Sequence, residues 1–112
     1  MPTVFSKKIE NATTIAAGAV WSPTNSQLSE DTEISKFLFF NHLTVFNNSS
    51  EDIDVRLYGT NITDKGAEYC PAGATLVFDK EDDMAFGRPA IYNRGTGIIA
   101  INQIILQIRK VI

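Results

Sequence analysis

The chain is 112 residues long, 44% hydrophobic and 21% charged, with 10 Lys and Arg against 13 Asp and Glu for a net charge of −3. That length fits one domain with a single core, burying roughly 65% of the surface exposed when unfolded, and the composition excludes a disordered chain. The weakly acidic balance, with no basic block beyond Lys7-Lys8 and Arg109-Lys110, excludes a protein built to neutralise a phosphate backbone, so no nucleic acid is expected as a partner.

From the N-terminus, Val4 to Ile9 and Thr13 to Trp21 read as strands around a turn near Asn11. The stretch Ala12 to Val20 behind Lys7-Lys8 only imitates a signal peptide, because Glu10, Thr13, Thr14 and Gly18 interrupt it. No run reaches the roughly 18 to 20 apolar residues of a membrane span, so the chain is expected to be soluble and made in a cytoplasm. Ser22 to Ser35 is the one long irregular segment, with a short helix over Gln27 to Glu33 as the weaker alternative. Residues 1–35 are therefore either peripheral strands of the domain or an arm reaching a neighbour. Sequons at Asn11, Asn47, Asn48 and Asn61 mean little in a chain this rich in Asn, Ser and Thr.

Phe37 to Phe46 is predicted to be a strand, with Leu43 and Val45 inward and Thr44 outward. The polar run Asn47 to Asp52 has hairpin-turn chemistry, and Ile53, Val55 and Leu57 then alternate with Asp54, Arg56 and Tyr58 until Gly59 ends the strand. Pro71 and Gly73 force a turn before a short strand at Thr75 to Phe78. The acidic run Asp79 to Asp83 follows, then a short strand at Arg88 to Asn93, then the glycine turn Arg94 to Gly97.

The segment from Ile98 to Ile112 reads as a terminal strand with apolar side chains on both faces. Ile98, Ala100, Ile104, Leu106 and Ile108 point one way, while Ile99, Ile101, Ile105 and Val111 point the other. Fully extended it would span about 50 Å, against about 35 Å for a domain of this size. It must therefore bend near Asn102-Gln103, or Gln107 to Ile112 must project to pair with a neighbour. The part before Asn102 is expected in the core and the part after it against another chain. Six to eight short strands with turn residues between them imply an all-β fold: one antiparallel β-sandwich or jelly-roll-like domain over residues 1–112.

Chemistry-bearing residues are sparse. His42 is the single histidine and Cys70 the single cysteine, which excludes an internal disulfide and any site needing two imidazoles. A Cys-His catalytic pair lacks a surrounding signature, and the bland reading places His42 on a half-exposed strand face. Asp79, Glu81, Asp82 and Asp83 lack the glycine and terminal glutamate of a helix-loop-helix calcium loop, so a solvated acidic turn is preferred. Gly95-Thr96-Gly97 lies between strands and offers no helix N-terminus to a phosphate. No enzyme, metal or other cofactor is expected. Trp21, Tyr58, Tyr69 and Tyr92 are the residues from which an aromatic sugar-binding platform would have to be built.

The stretch from Phe40 to Ile112 resembles small β-sandwich proteins of bacteriophage virions. The resemblance rests on Leu43-Thr44-Val45-Phe46-Asn47 followed by Asp52 to Leu57, on Tyr69-Cys70-Pro71-Ala72-Gly73-Ala74 entering Thr75 to Asp79, and on Ile91-Tyr92-Asn93 with a glycine turn into the last strand. Such proteins cement or decorate capsids, occupy vertices or adapt tails. The resemblance implies a non-enzymatic structural protein located in the virion, with other copies of itself or a major capsid or tail protein as partners. Val4, Phe5, Ile99, Ile101, Ile105, Val111 and Ile112 are the expected contact residues. The alternative is a carbohydrate-binding or receptor-attachment module with a sugar ligand.

Overall fold

In a strand, successive side chains face opposite sides, so the alternating runs select which residues close on a core. The computed structural model describes residues 4–24, 42–56, 67–79 and 89–111. Its eight strands are β1 (Val4–Glu10), β2 (Val20–Trp21), β3 (His42–Asn47), β4 (Ile53–Arg56), β5 (Glu68–Cys70), β6 (Thr75–Asp79), β7 (Ala90–Asn93) and β8 (Ile104–Val111). They form two antiparallel four-stranded sheets, ordered β1-β8-β3-β6 and β2-β7-β4-β5. The pairs β1–β8, β2–β7, β3–β6 and β4–β5 are those of one long hairpin wrapped around a core, which is the jelly-roll arrangement. The all-β sandwich expected from the alternation is therefore the fold.

Between the sheets lie Ile9, Leu43, Val45, Ile104, Leu106 and Ile108 from the first, and Ile53, Val55, Cys70 and Ile91 from the second. Ile15 and Ile99, paired in an isolated bridge, close one end. Trp21, Leu76 and Phe78 pack against this core while remaining half-buried. No helix among the described residues is long and apolar enough to cross a membrane.

Several sequence expectations need correcting. Thr13 to Trp21 is not one strand: a turn with Gly18 at φ 77° interrupts it, leaving only Val20–Trp21 paired with β7. Glu68–Cys70 is a strand the alternation did not reveal, because three residues are too few to show a period. Arg56, expected to face solvent, is buried beside Ala90. The largest change concerns the C-terminal segment. It does bend at Asn102, whose φ is 65°, and β8 begins only at Ile104. Beyond the bend, β8 is an interior strand paired with β1 on one side and β3 on the other. Its backbone groups over Ile105–Arg109 are matched within the chain, so an added strand finds no edge there. Leu57 to Gly59, the proposed helix at Gln27 to Glu33, most of the acidic run and Ile112 lie outside the described residues.

Candidate functional site

The strand directions bring four connections to one end of the sandwich: β1–β2, β3–β4, β5–β6 and β7–β8. Three asparagines, Asn11, Asn47 and Asn93, sit there where a strand ends, each fully buried. A buried amide must find partners for two N–H donors and a carbonyl, and here these are the loops' own backbone groups, joined at Asn47 by the Ser49 hydroxyl.

Asn11 Nδ2 donates to the carbonyls of Thr13 and Ala100, both at 2.9 Å, and its Oδ1 accepts from Ile104 N at 2.9 Å. Asn93 Nδ2 donates to the carbonyls of Ile15 and Gly97, both at 2.9 Å, and its Oδ1 accepts from Gly95 N at 3.0 Å. Asn47 Nδ2 donates to the carbonyls of Glu51, Cys70 and Pro71 at 2.8, 3.3 and 3.2 Å. Its Oδ1 accepts from Ser49 N at 3.1 Å and lies 2.6 Å from the Ser49 hydroxyl.

The carboxylate of Glu51 ties these loops together by accepting from Gly97 N. Its approach crowds two glycines, Gly95 the more firmly, because there a Cβ would also stand 2.9 Å from Glu51 Cβ, whereas at Gly97 only the movable carboxylate end is near. A Cβ at Gly95 would stand 2.7 Å, and one at Gly97 2.8 Å, from Glu51 Oε1. At the next turn, the Asp52 carboxylate accepts from Ala72 N at 3.0 Å. That bond, then one from Tyr69, holds the Asp52 carboxyl below its ordinary range.

On this pinned end the β7–β8 loop presents two large aliphatic side chains to solvent, Ile98 at 67% and Ile101 at 52% exposure. Of the expected contact residues, Ile101 is thus exposed and Ile105 half-buried on the outer sheet face. Ile99 is the correction: the turn at 101–102 breaks the alternation, and Ile99 is enclosed in the core, where no partner can reach it. Val4 and Val111 pair within the β1–β8 ladder, as do Phe5 and Lys110.

The other expected sites separate. His42 lies in a cross-strand row, Ser6-Arg109-His42-Asp79, on the outer face of the first sheet. Its Nδ1 is 2.6 Å from Asp79 Oδ1, and the row borders a shallow concavity of about 320 Å³ that also includes Thr44, Val77 and Gln107. Ser6 is two strands from His42, about 10 Å, and its hydroxyl accepts from Gln107 Nε2 at 2.8 Å, so no nucleophile and base meet here.

Cys70 is buried in the second sheet, away from His42, and desolvation, then the Asp52 charge, pushes its thiol up. An aromatic-disulfide thiol reagent should therefore leave Cys70 unmodified in native buffer and modify it once per chain in denaturant. Trp21 packs toward the core and cannot share a platform with Tyr69 and Tyr92. Those two flank Asp54 on the outer face of the second sheet, with the Arg94 guanidinium 4.8 Å from the Tyr69 ring centre. Among the described residues no group of three or more His, Cys, Asp or Glu is placed to hold a metal ion.

No family model and no curated protein matches the chain. Among solved structures it is similar to one described as "Bacillus endospore appendages form a novel family of disulfide-linked pili", with a TM-score of 0.48 and 14% identity, covering 98% of this chain and 89% of that one.

Proposed function

We propose that the chain is a non-enzymatic structural protein of a virus particle that works by protein–protein contact with neighbouring subunits. The observation that carries this reading is the pair Ile98 and Ile101, exposed on a loop that buried Asn11 and Asn93 hold in place. An aliphatic side chain on a mobile loop gives up much of its burial energy to backbone ordering, about 1–2 kcal/mol per residue fixed. Here the amides of Asn11 and Asn93 already hold the loop carbonyls of Ala100 and Gly97, so less ordering remains at contact and burial of each isoleucine contributes up to about 1–2 kcal/mol. Contacts of that size suffice when a symmetric particle repeats them. The jelly-roll strand order is compatible with this role, although the same order also serves lectins and small-molecule-binding domains.

Among the described residues the alternative, a carbohydrate-binding module, would draw on Tyr69 and Tyr92, and the guanidinium of Arg94 already stands over Tyr69. The contact reading is tested by the double variant Ile98→Asp/Ile101→Asp. It should fold with an unchanged circular dichroism spectrum and lose co-sedimentation with the virus particles of its source. Co-sedimentation at the wild-type level would sink the reading.

A further inference from the structure

Each sheet has two edges, and an unpaired edge invites another strand unless something blunts it. Among the described residues the four edge strands are β1, β6, β2 and β5. β2 has 2 residues and β5 has 3, too short to template a partner. β1 is charged along its outer side, where Lys8 and Glu10 form an ion pair at 3.2 Å. Among the described residues β6 carries only one such device, the Asp79 carboxylate at its end. It is five residues, Thr75-Leu76-Val77-Phe78-Asp79, without proline, lysine or a bulge in its ladder to β3, and Val77 at its centre is 63% exposed.

The backbone direction along β6 follows from its first contact. Ala74 O accepts from Asn47 N at 3.0 Å, so Ala74 faces β3. Alternation then turns the N–H and C=O groups of Leu76 and Phe78 toward β3, and those of Thr75, Val77 and Asp79 outward. The outward set coincides with the residues whose side chains are exposed.

We infer that β6 pairs antiparallel with β6 of a second copy of this chain, about a two-fold axis through Val77. The inference rests on the reading of the chain as a contact-forming structural protein. The strand is complementary to itself in that register. Val77 meets Val77 in a hydrogen-bonded pair, and each Thr75 faces an Asp79, whose carboxylate accepts from the threonine hydroxyl. Leu76 faces Phe78 on the core side, where both are half-buried and gain cover. The two Asp79 carboxylates stay about 14 Å apart along the strand, beyond the screening length at physiological salt. The product joins two four-stranded sheets into one of eight, an isologous interface that closes on itself.

The test is the mass of the full chain by light scattering across a concentration series. The wild type should be a dimer that does not grow further. Val77→Lys, which sets two ammonium groups opposite each other at a solvent-exposed position, should weaken the dimer by at least about tenfold with an unchanged circular dichroism spectrum. In a second arm, Val77→Cys should be captured as a covalent dimer by a short bifunctional maleimide, whereas Ile98→Cys should not. Three results would overturn the inference and leave the proposed function standing: a dimer that Val77→Lys retains but Ile101→Asp dissolves; open-ended growth of the wild type; or a wild-type monomer that still enters particles through Ile98 and Ile101.

Discussion

Replacing Asn47 by Ala is expected to lower the unfolding free energy by about 3 kcal/mol, more than any surface substitution in the chain. The side chain is fully buried and engages backbone groups of Ser49, Glu51, Cys70 and Pro71. Alanine leaves those groups without partners in a space too enclosed for solvent to replace the amide freely. The cost is set by desolvated carbonyls and N–H groups rather than by one lost bond. For a domain of this size that is a fall in Tm of roughly 10–20 °C. Three companions separate the network from simple volume loss. Ser49→Ala should cost less, because Asn47 Oδ1 keeps the Ser49 N–H. Asn47→Asp should cost at least as much, since it aims a carboxylate oxygen at three carbonyls. Asn48→Ala, at an exposed neighbouring position, should stay within about 0.5 kcal/mol of wild type. Urea unfolding of the four variants checks the order, and an Asn47→Ala protein as stable as the Asn48→Ala one would refute the account.

The strand framework was readable because burial on one face leaves a period-two trace, clear in Leu43-Thr44-Val45 and in Ile53-Asp54-Val55, and the structure buries the residues so assigned. By sequence alone Asn11 and Asn47 read as turn residues and chance sequons, and Asn93 as the plain end of a strand. Yet each continues the inward series of its strand, Asn11 after Ile9, Asn47 after Val45 and Asn93 after Ile91. An amide at an inward position next to a loop is the signal that was available. Gly95 and Gly97 are legible as a turn, but the close approach of Glu51, more than forty residues away in sequence, is encoded by no local pattern. β5 and the edges of the sheets depend on which strands pair, and pairing across a jelly roll joins residues as distant as Val4 and Val111. Alternation within one strand contains nothing about its neighbour.

The C-terminal segment shows where such alternation misleads, and it supplies the second large prediction. Counting by twos from β8 places Ile99 and Ile101 on the same face, opposite Ile104, Leu106 and Ile108. The chain between them is not extended: Asn102 takes a left-handed φ of 65°, its N–H donates to Asn11 O at 2.9 Å, and Ala100 N donates to Gln103 Oε1 at 3.0 Å. Ile99 is thereby returned to the core, bridged to Ile15 by two backbone hydrogen bonds of 2.9 Å, while Ile101 is left outside. Ile99→Ala should accordingly cost about 3 kcal/mol, the transfer energy of the lost carbons plus the cavity at the closed end of the sandwich. Ile101→Ala should change stability by less than about 0.5 kcal/mol. Aspartate sharpens the contrast, because at position 99 it buries an unpaired charge and should abolish folding, whereas at position 101 it should fold normally. Denaturant titration of the two alanine variants decides the matter. Equal losses at both positions would mean that the strand runs straight through Asn102, and a loss confined to Ile101 would mean that the two isoleucines are exchanged between core and surface.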